Sequence, residues 1–218
     1  MYIPRAFEIE DIKAIHQFMR DYDFAILVTQ REGVPFATHL PTVLDDKRGP
    51  FGTIEAHVAR ANPQWRDFDE TNVTGSDNQE VLLIFQGPHS YISPSWYVDN
   101  AASSVPTWNY EIVHAYGKLH LLKDVEHVRG LLQRLIHRNE SRFEHPWHMP
   151  FSDEELQKRM SGFVCFEIEL TRLEGKGKLS QNRTVNDQQH VITALEENAE
   201  LLGEGAIGVA DLMKQHTP

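Results

Sequence analysis

The feature that most constrains the fold is a succession of short runs rich in β-branched and aromatic residues: FAILVTQ, VPFATHLPTVL, FGTIEAHVA and EVLLIFQG. They are separated by REG, DDKRGP and the polar stretch 67–80, all of which carry turn chemistry, so they predict an antiparallel meander. NYEIVHAYGKLHL follows, with Tyr110, Ile112, His114 and Tyr116 on one parity and Glu111, Val113, Ala115 and Gly117 on the other. That alternation predicts a long strand with two partly covered faces, and Gly117 inside it predicts a bulge or the close approach of another backbone or a ligand. Strand character returns at GFVCFEIEL.

Helical patterns flank these runs and seldom interleave with them. Ile12, Ile15, Phe18 and Met19 recur at helical spacing after an acidic start, as do Val125, Val128, Leu131, Leu132, Leu135 and Ile136. SDEEL reads as a helix N-cap at Ser152. The tail offers Val191, Ile192, Leu195 and then Val209, Leu212 and Met213, predicting one or two short helices around a break at Gly203, Gly205 and Gly208; GEGAIG reads as a flexible hinge. The class is mainly β with peripheral helices, a closed or half-open antiparallel barrel in preference to a parallel α/β sheet.

Charge and cysteine usage narrow the partners. Thirty-two Asp+Glu against 21 Lys+Arg give a formal charge of −11, which repels a polyanion and argues against direct nucleic-acid binding. Cys165 is the sole cysteine, so no intramolecular disulfide forms, which fits a reducing interior. MYIPRAFEIED lacks an apolar signal core, and no run approaches the roughly 18 apolar residues of a membrane span. The expectation is a soluble cytoplasmic protein, with the sequons at Asn72, Asn139 and Asn182 arising by chance.

Four stretches carry more polar and aromatic residues than a barrel wall needs: ATHLP, HVARANPQW, PHSYISPSWY and VPTWNYEIVHAYG. In the second, Arg60 follows a strand and precedes Asn62-Pro63, where a short helix, QWRDF, is expected. Arginine at such a turn can grip a phosphate while the helix start adds amide donors; alternatively it pairs with a surface acid. His89, Tyr91, Trp96 and Tyr97 could line a pocket for a planar heterocycle, or form a core corner or dimer contact. His39 and His57 could face one another across the sheet or donate to a ligand. His137, His145 and His148 match no zinc-ligand spacing, and Pro146 breaks the helix that could present them together. There is no GxSxG elbow, Walker loop or dinucleotide GxGxxG, so hydrolase, nucleoside-triphosphatase and Rossmann readings lose their anchors.

MYIPRAF, FATHLP, HVARANPQW, PHSYISPSWY, VPTWNYEIVHAYG and GKGKLSQNR, in this order, resemble the PaiB-type proteins, named as negative transcriptional regulators of protease synthesis and sporulation. The resemblance runs from Met1 to about Met213. It implies a split β-barrel of the flavin-binding class, related to pyridoxamine-phosphate oxidase, forming a homodimer with FMN at the subunit interface. In that reading residues 1–183 form the barrel with inserted helices, and 184–218 a helical extension packing on the barrel or the partner subunit. Arg60, with His57 and Asn62, matches the segment that grips the flavin phosphate. Lys178, Ser180, Gln181 and Asn182 would close the pocket, and Trp96, Trp108, Asn109 and Tyr110 would serve near the ring or the dimer seam. Two positions depart from the pattern: VDNAASS replaces a loop that usually carries lysine, and Gly177 stands where tryptophan is usual.

The resemblance leaves more than one function open. One is an FMN-binding regulator; another is a flavin-dependent oxidoreductase drawing electrons from a reduced nicotinamide for an unknown small substrate. A third is a regulator that contacts DNA or a protein directly, and no helix-turn-helix pattern supports its DNA form. The residues single out no catalytic acid or base.

Overall fold

The β-branched runs pair into one sheet, mostly antiparallel, in a computed structural model that describes residues 1–31, 33–68, 80–99 and 101–216. Asn72, Asn100 and most of the polar 67–80 connection lie outside the described residues. The strands are β1 (Glu8–Ile9), β2 (Phe24–Arg31), β3 (Val34–Pro41), β4 (Val43–Asp45), β5 (Thr53–Ala59), β6 (Val81–Ile92), β7 (Thr107–Leu122) and β8 (Phe163–Lys178). Their order is β3-β2-β6-β7-β8-β5-β4, with β1 added to the far end of β8 through Glu8↔Lys176 and Ile9↔Gly175. The helices are α1 (Ile12–Asp21), α2 (Val125–Glu140), α3 (Asp153–Arg159), α4 (Val185–Glu197), α5 (Ala199–Leu202) and α6 (Gly205–His216).

The chain divides into two compact units, His16–Phe85 with His114–Leu173, and Met1–Ile15 with Gln86–Val113 and Glu174–Pro218. In the first unit strand alternation buries Ala25, Leu27, Ile54, Val58, Leu83, Phe85, Phe166 and Ile168. On the other side of β5 and β8, α2 and α3 cover Cys165 with Val128, Leu131, Leu135 and Leu156. Each large side chain so buried contributes about 1.5–3 kcal/mol. Among the described residues the sheet strip does not close by a β ladder. Instead the short 3₁₀ turn Pro63–Phe68 after β5 reaches the β2–β3 hairpin, where buried Gln64 Nε2 donates to Leu27 O and Thr29 Oγ1 and Asn62 Nδ2 donates to Thr38 Oγ1. Side chains thus tie the two ends of the strip together, which makes the barrel split.

Gly117 does mark a close approach: a Cβ there would collide with the Glu169 carbonyl of β8. VPFATHLPTVL, one run in the sequence, breaks at Thr42, whose amide and hydroxyl both donate to Asp23 O at 2.9 Å. SDEEL forms a capping box, with Ser152 and Glu155 each satisfying the other's backbone amide.

In the second unit α4 and α6 pack Val191, Ile192, Leu195, Val209, Ala210 and Met213 against Ile92, Tyr97 and Leu179. Here the expected flexible hinge at GEGAIG is corrected. Gly205 and Gly208 lie inside α6, and a Cβ on either would collide with His89 backbone or the Pro88 ring of β6. Those glycines permit close packing of helix on strand.

Candidate functional site

The turn HVARANPQW is tightly built. Arg60 N–H donates to Gly162 O, Asn62 N–H to Ala59 O, and the Asn62 side chain accepts from Gln64 N at 3.0 Å while donating to Thr38. Asn62 is therefore spent on shaping the turn, and it consumes one amide that the helix start could have offered a phosphate. The Arg60 guanidinium is exposed yet fixed: Nη2 donates to Met160 O at 3.0 Å and Phe163 O at 2.9 Å, and Cζ lies 5.2 Å from the centre of the Trp65 ring. Trp65 Nε1 donates back to Arg60 O. Among the described residues no carboxylate pairs with Arg60, so the surface-salt-bridge alternative is not how its charge is used.

His57, on β5, packs edge-on against Phe163, and its Nδ1 is buried without a hydrogen-bond partner among the described residues. Burial holds its pKa below the ordinary value, so the ring is neutral at pH 7. His57 lies opposite Cys165 and His39 opposite Ile26, where Phe24 stacks on it; the expected cross-sheet pair of histidines does not form. Burial and the nearby Glu55 push the Cys165 thiol up to about 12, leaving it unreactive.

The second cluster lies wholly in the other unit. A cleft of about 400 Å³ is lined by Gln86, His89, Trp108, Tyr110, Glu111 and Ile112. Trp108 is 53 % exposed, with the rings of His89 and Tyr91 each 6.2 Å away. Lys178 Nζ donates to Thr107 Oγ1 at 2.6 Å and Trp108 O at 2.7 Å; burial, then Lys176 and Arg183, push its pKa down. Trp108, Tyr110 and Lys178, expected together, are thus brought together.

Their sequence neighbours serve other ends. Asn109 is fully buried, its amide donating to Ser180 Oγ at 2.9 Å and meeting Met213 Sδ at 3.4 Å. That contact helps hold Ser180 at φ +64°, a conformation unusual for a residue with a Cβ. Gln181 closes the following turn, accepting from Leu179 N and donating to Gly177 O. Asn182 is exposed, and Trp96 packs against the α4–α6 core.

Two residues that sequence reasoning passed over stand out. Lys176 is buried beside Tyr110, and its signal was the alternation in GKGK, which puts two lysines on one strand face. Glu111, with Asn109 and Val113, belongs to the buried parity of β7, and burial pushes its carboxyl up to about 7.

Comparison with known proteins fits this architecture. A family model described as "Putative FMN-binding domain" matches residues 1–172. "Protease synthase and sporulation protein PAI 2" of Bacillus subtilis (strain 168) is 38 % identical over 202 residues, 91 % of each chain. Among solved structures, the flavocytochrome Anf3 from Azotobacter vinelandii superposes with a TM-score of 0.54 at 16 % identity, covering 84 % of this chain and 73 % of that one. The FAD and heme binding protein from Mycobacterium smegmatis gives 0.54 at 12 %, covering 78 % and 73 %. Likeness at such identities speaks for the fold alone. The family match and the Bacillus relative together establish that the chain belongs to the PaiB-type family of FMN-binding split-barrel proteins.

Proposed function

We propose that the protein is a homodimeric, FMN-holding regulator of the PaiB type, in which Arg60 anchors the flavin phosphate; the cleft around Trp108, which belongs to the other unit, is open to a flat ring. The observation that carries the reading is the state of Arg60: an exposed guanidinium, locked in place by two carbonyls and an indole, with no carboxylate among the described residues to neutralise it. A phosphate is the partner such a preorganised cation suits. His57 Nδ1, buried and without a hydrogen-bond partner among the described residues, lies on the strand leading to Arg60 and supports the same reading. Bound FMN would supply redox chemistry; the chain supplies the anchor and the stacking surface.

One exposed sheet face supports the docking of a second copy. On the outward parity of β2, β3 and β6, Phe24, Ile26, Val28, Ala37, Leu82 and Ile84 form a mostly apolar face, with His39 opposite Ile26, through the pairs Ile26↔Ile84, Val28↔Leu82 and Val28↔Ala37. Phe24 is 64 % exposed, and an apolar sheet face of this kind is a site of association. The open, aromatic cleft also favours the second reading, an oxidoreductase, because a planar nicotinamide could approach there.

The visible spectrum of the purified protein tests the first reading. Flavin absorbance, or its recovery on reconstitution with FMN, is expected, together with its loss in Arg60→Ala. A colourless protein that FMN cannot reconstitute refutes it. NADPH oxidation by the loaded protein would favour the enzyme, whereas a salt-dependent shift of promoter DNA would favour direct regulation.

A further inference from the structure

We infer that the cavity at the C-terminal end of α2 is a binding site for a small organic amine, a cation with an apolar body held between the Glu140 carboxylate and the Trp147 indole. The inference does not rest on the flavin reading.

The cavity holds about 500 Å³, room for a whole small molecule, and its lining belongs to the unit formed by His16–Phe85 with His114–Leu173. Ile136, Pro146, Trp147 and Met149 give it apolar walls. Among the described residues Glu140 is the one carboxylate of a lining that holds no lysine or arginine. Packing fixes the shape. Met149 rests on the core that Val128, Leu131, Leu135 and Leu156 form between α2 and α3. Trp147 meets the Phe151 ring edge-on at 6.4 Å, and Arg159 Cζ lies 3.9 Å from the centre of that ring.

Glu140 is an acid at the wrong end of a helix. It is the last residue of α2, where the backbone carbonyls already amount to roughly half a negative charge and a cation is the favoured neighbour. Trp147 N–H donates to its Oε2 at 2.8 Å, and among the described residues no lysine, arginine or histidine forms an ion pair with it. Arg138, in the same last turn, pairs with Asp23 instead. The helix therefore brings a carboxylate and its own negative end to a cavity without a counter-charge, in a chain whose formal charge of −11 draws cations. An ammonium group satisfies that carboxylate, and the half-exposed face of Trp147 adds a cation–π contact. His137 and His148 share the cavity, yet among the described residues no three His, Cys, Asp or Glu side chains are grouped to hold a metal ion. The chemistry of the lining favours an organic cation.

The probe is 2-phenylethylamine, measured by calorimetry on the full chain at pH 8 against 2-phenylethanol, its neutral counterpart of nearly equal size. The amine is expected to bind about tenfold more tightly than the alcohol, and rising salt should weaken the amine alone. Glu140→Gln keeps an oxygen to accept from Trp147 N–H and should abolish the preference: amine affinity falls about tenfold, and alcohol affinity stays. Trp147→Leu keeps apolar bulk and should weaken the amine about threefold. Thermal melts of both variants should remain cooperative, since neither side chain is buried. No binding of the amine, equal affinity for amine and alcohol, or an amine affinity unchanged in Glu140→Gln overturns the inference.

Discussion

The turn around Arg60 and the cleft around Trp108 carry similar residue types and use them in opposite ways. In the turn nearly every polar group is engaged: Asn62 and Gln64 tie the turn to β2 and β3, and Arg60 itself binds two carbonyls. In the cleft the indole of Trp108 is half exposed, and two lysines of β8, outside the cleft's lining, lean on neutral acceptors. A motif dense in polar residues can thus be mostly architecture. A plainer one, GKGK beside a Trp-Asn-Tyr strand, can hold the chemistry still available to a ligand.

Breaking the turn should produce the largest effect on stability. Gln64 is 3 % exposed, and its amide supplies donors to a carbonyl and a hydroxyl that no water replaces easily. Gln64→Ala should cost about 3 kcal/mol, read as a lowered urea midpoint at unchanged slope. A loss under about 0.5 kcal/mol would mean that the turn does not hold the split strip together.

Next in size is a gain. The Glu111 carboxyl titrates at about 7 in the fold against 4.5 ordinarily, because burial penalises its charged form. The native state then holds more protons than the unfolded chain between those values, so stability falls as pH rises from about 4.5 to 7 and stays low above it. Glu111→Gln removes the charge at nearly constant shape. It should stabilise the protein at pH 8 by on the order of 2 kcal/mol and change little at pH 4.5. Thermal melts at the two pH values check it; equal shifts at both would show that burial of charge is not the cause.

These two residues also show what the sequence could disclose. The strands of FAILVTQ and NYEIVHAYG were legible because period-two alternation is a local property, and Gly117 correctly announced a close backbone approach. The break at Thr42 was hidden because it depends on Asp23 O, nineteen residues away. Asn109 looked like a ring contact, yet its amide meets Ser180 and Met213 in the C-terminal segment, contacts that only tertiary packing creates. The hinge at GEGAIG failed for the same reason: glycine signals freedom in a sequence, but close packing on β6 demands it here. Glu111 lay in plain view on a strand, and only its burial gives it a shifted pKa.

A smaller effect sharpens the role of Arg60. Its two carbonyl contacts are exposed, so Arg60→Ala should cost about 1 kcal/mol, too little to unfold the protein at room temperature. Loss of flavin in a variant that still melts cooperatively would therefore report a lost phosphate anchor. Retention of flavin would leave Arg60 as one more structural member of its turn.

Trp108→Ala should have the least effect on stability and the clearest effect on binding. The indole is half exposed, and the Lys178 contact is to the Trp108 backbone carbonyl, which the substitution preserves. About 0.5 kcal/mol or less should separate the variant from wild type in urea. Removing a stacking face from a ligand, by contrast, costs about 1–3 kcal/mol, so the affinity of the cleft for a flat aromatic probe such as 2-naphthoate, read by quenching of tryptophan fluorescence, should fall about tenfold or more. The two numbers move together if Trp108 is a packing residue and apart if it is a binding surface. Parallel melts and titrations on one preparation therefore decide whether the cleft differs from the turn in kind.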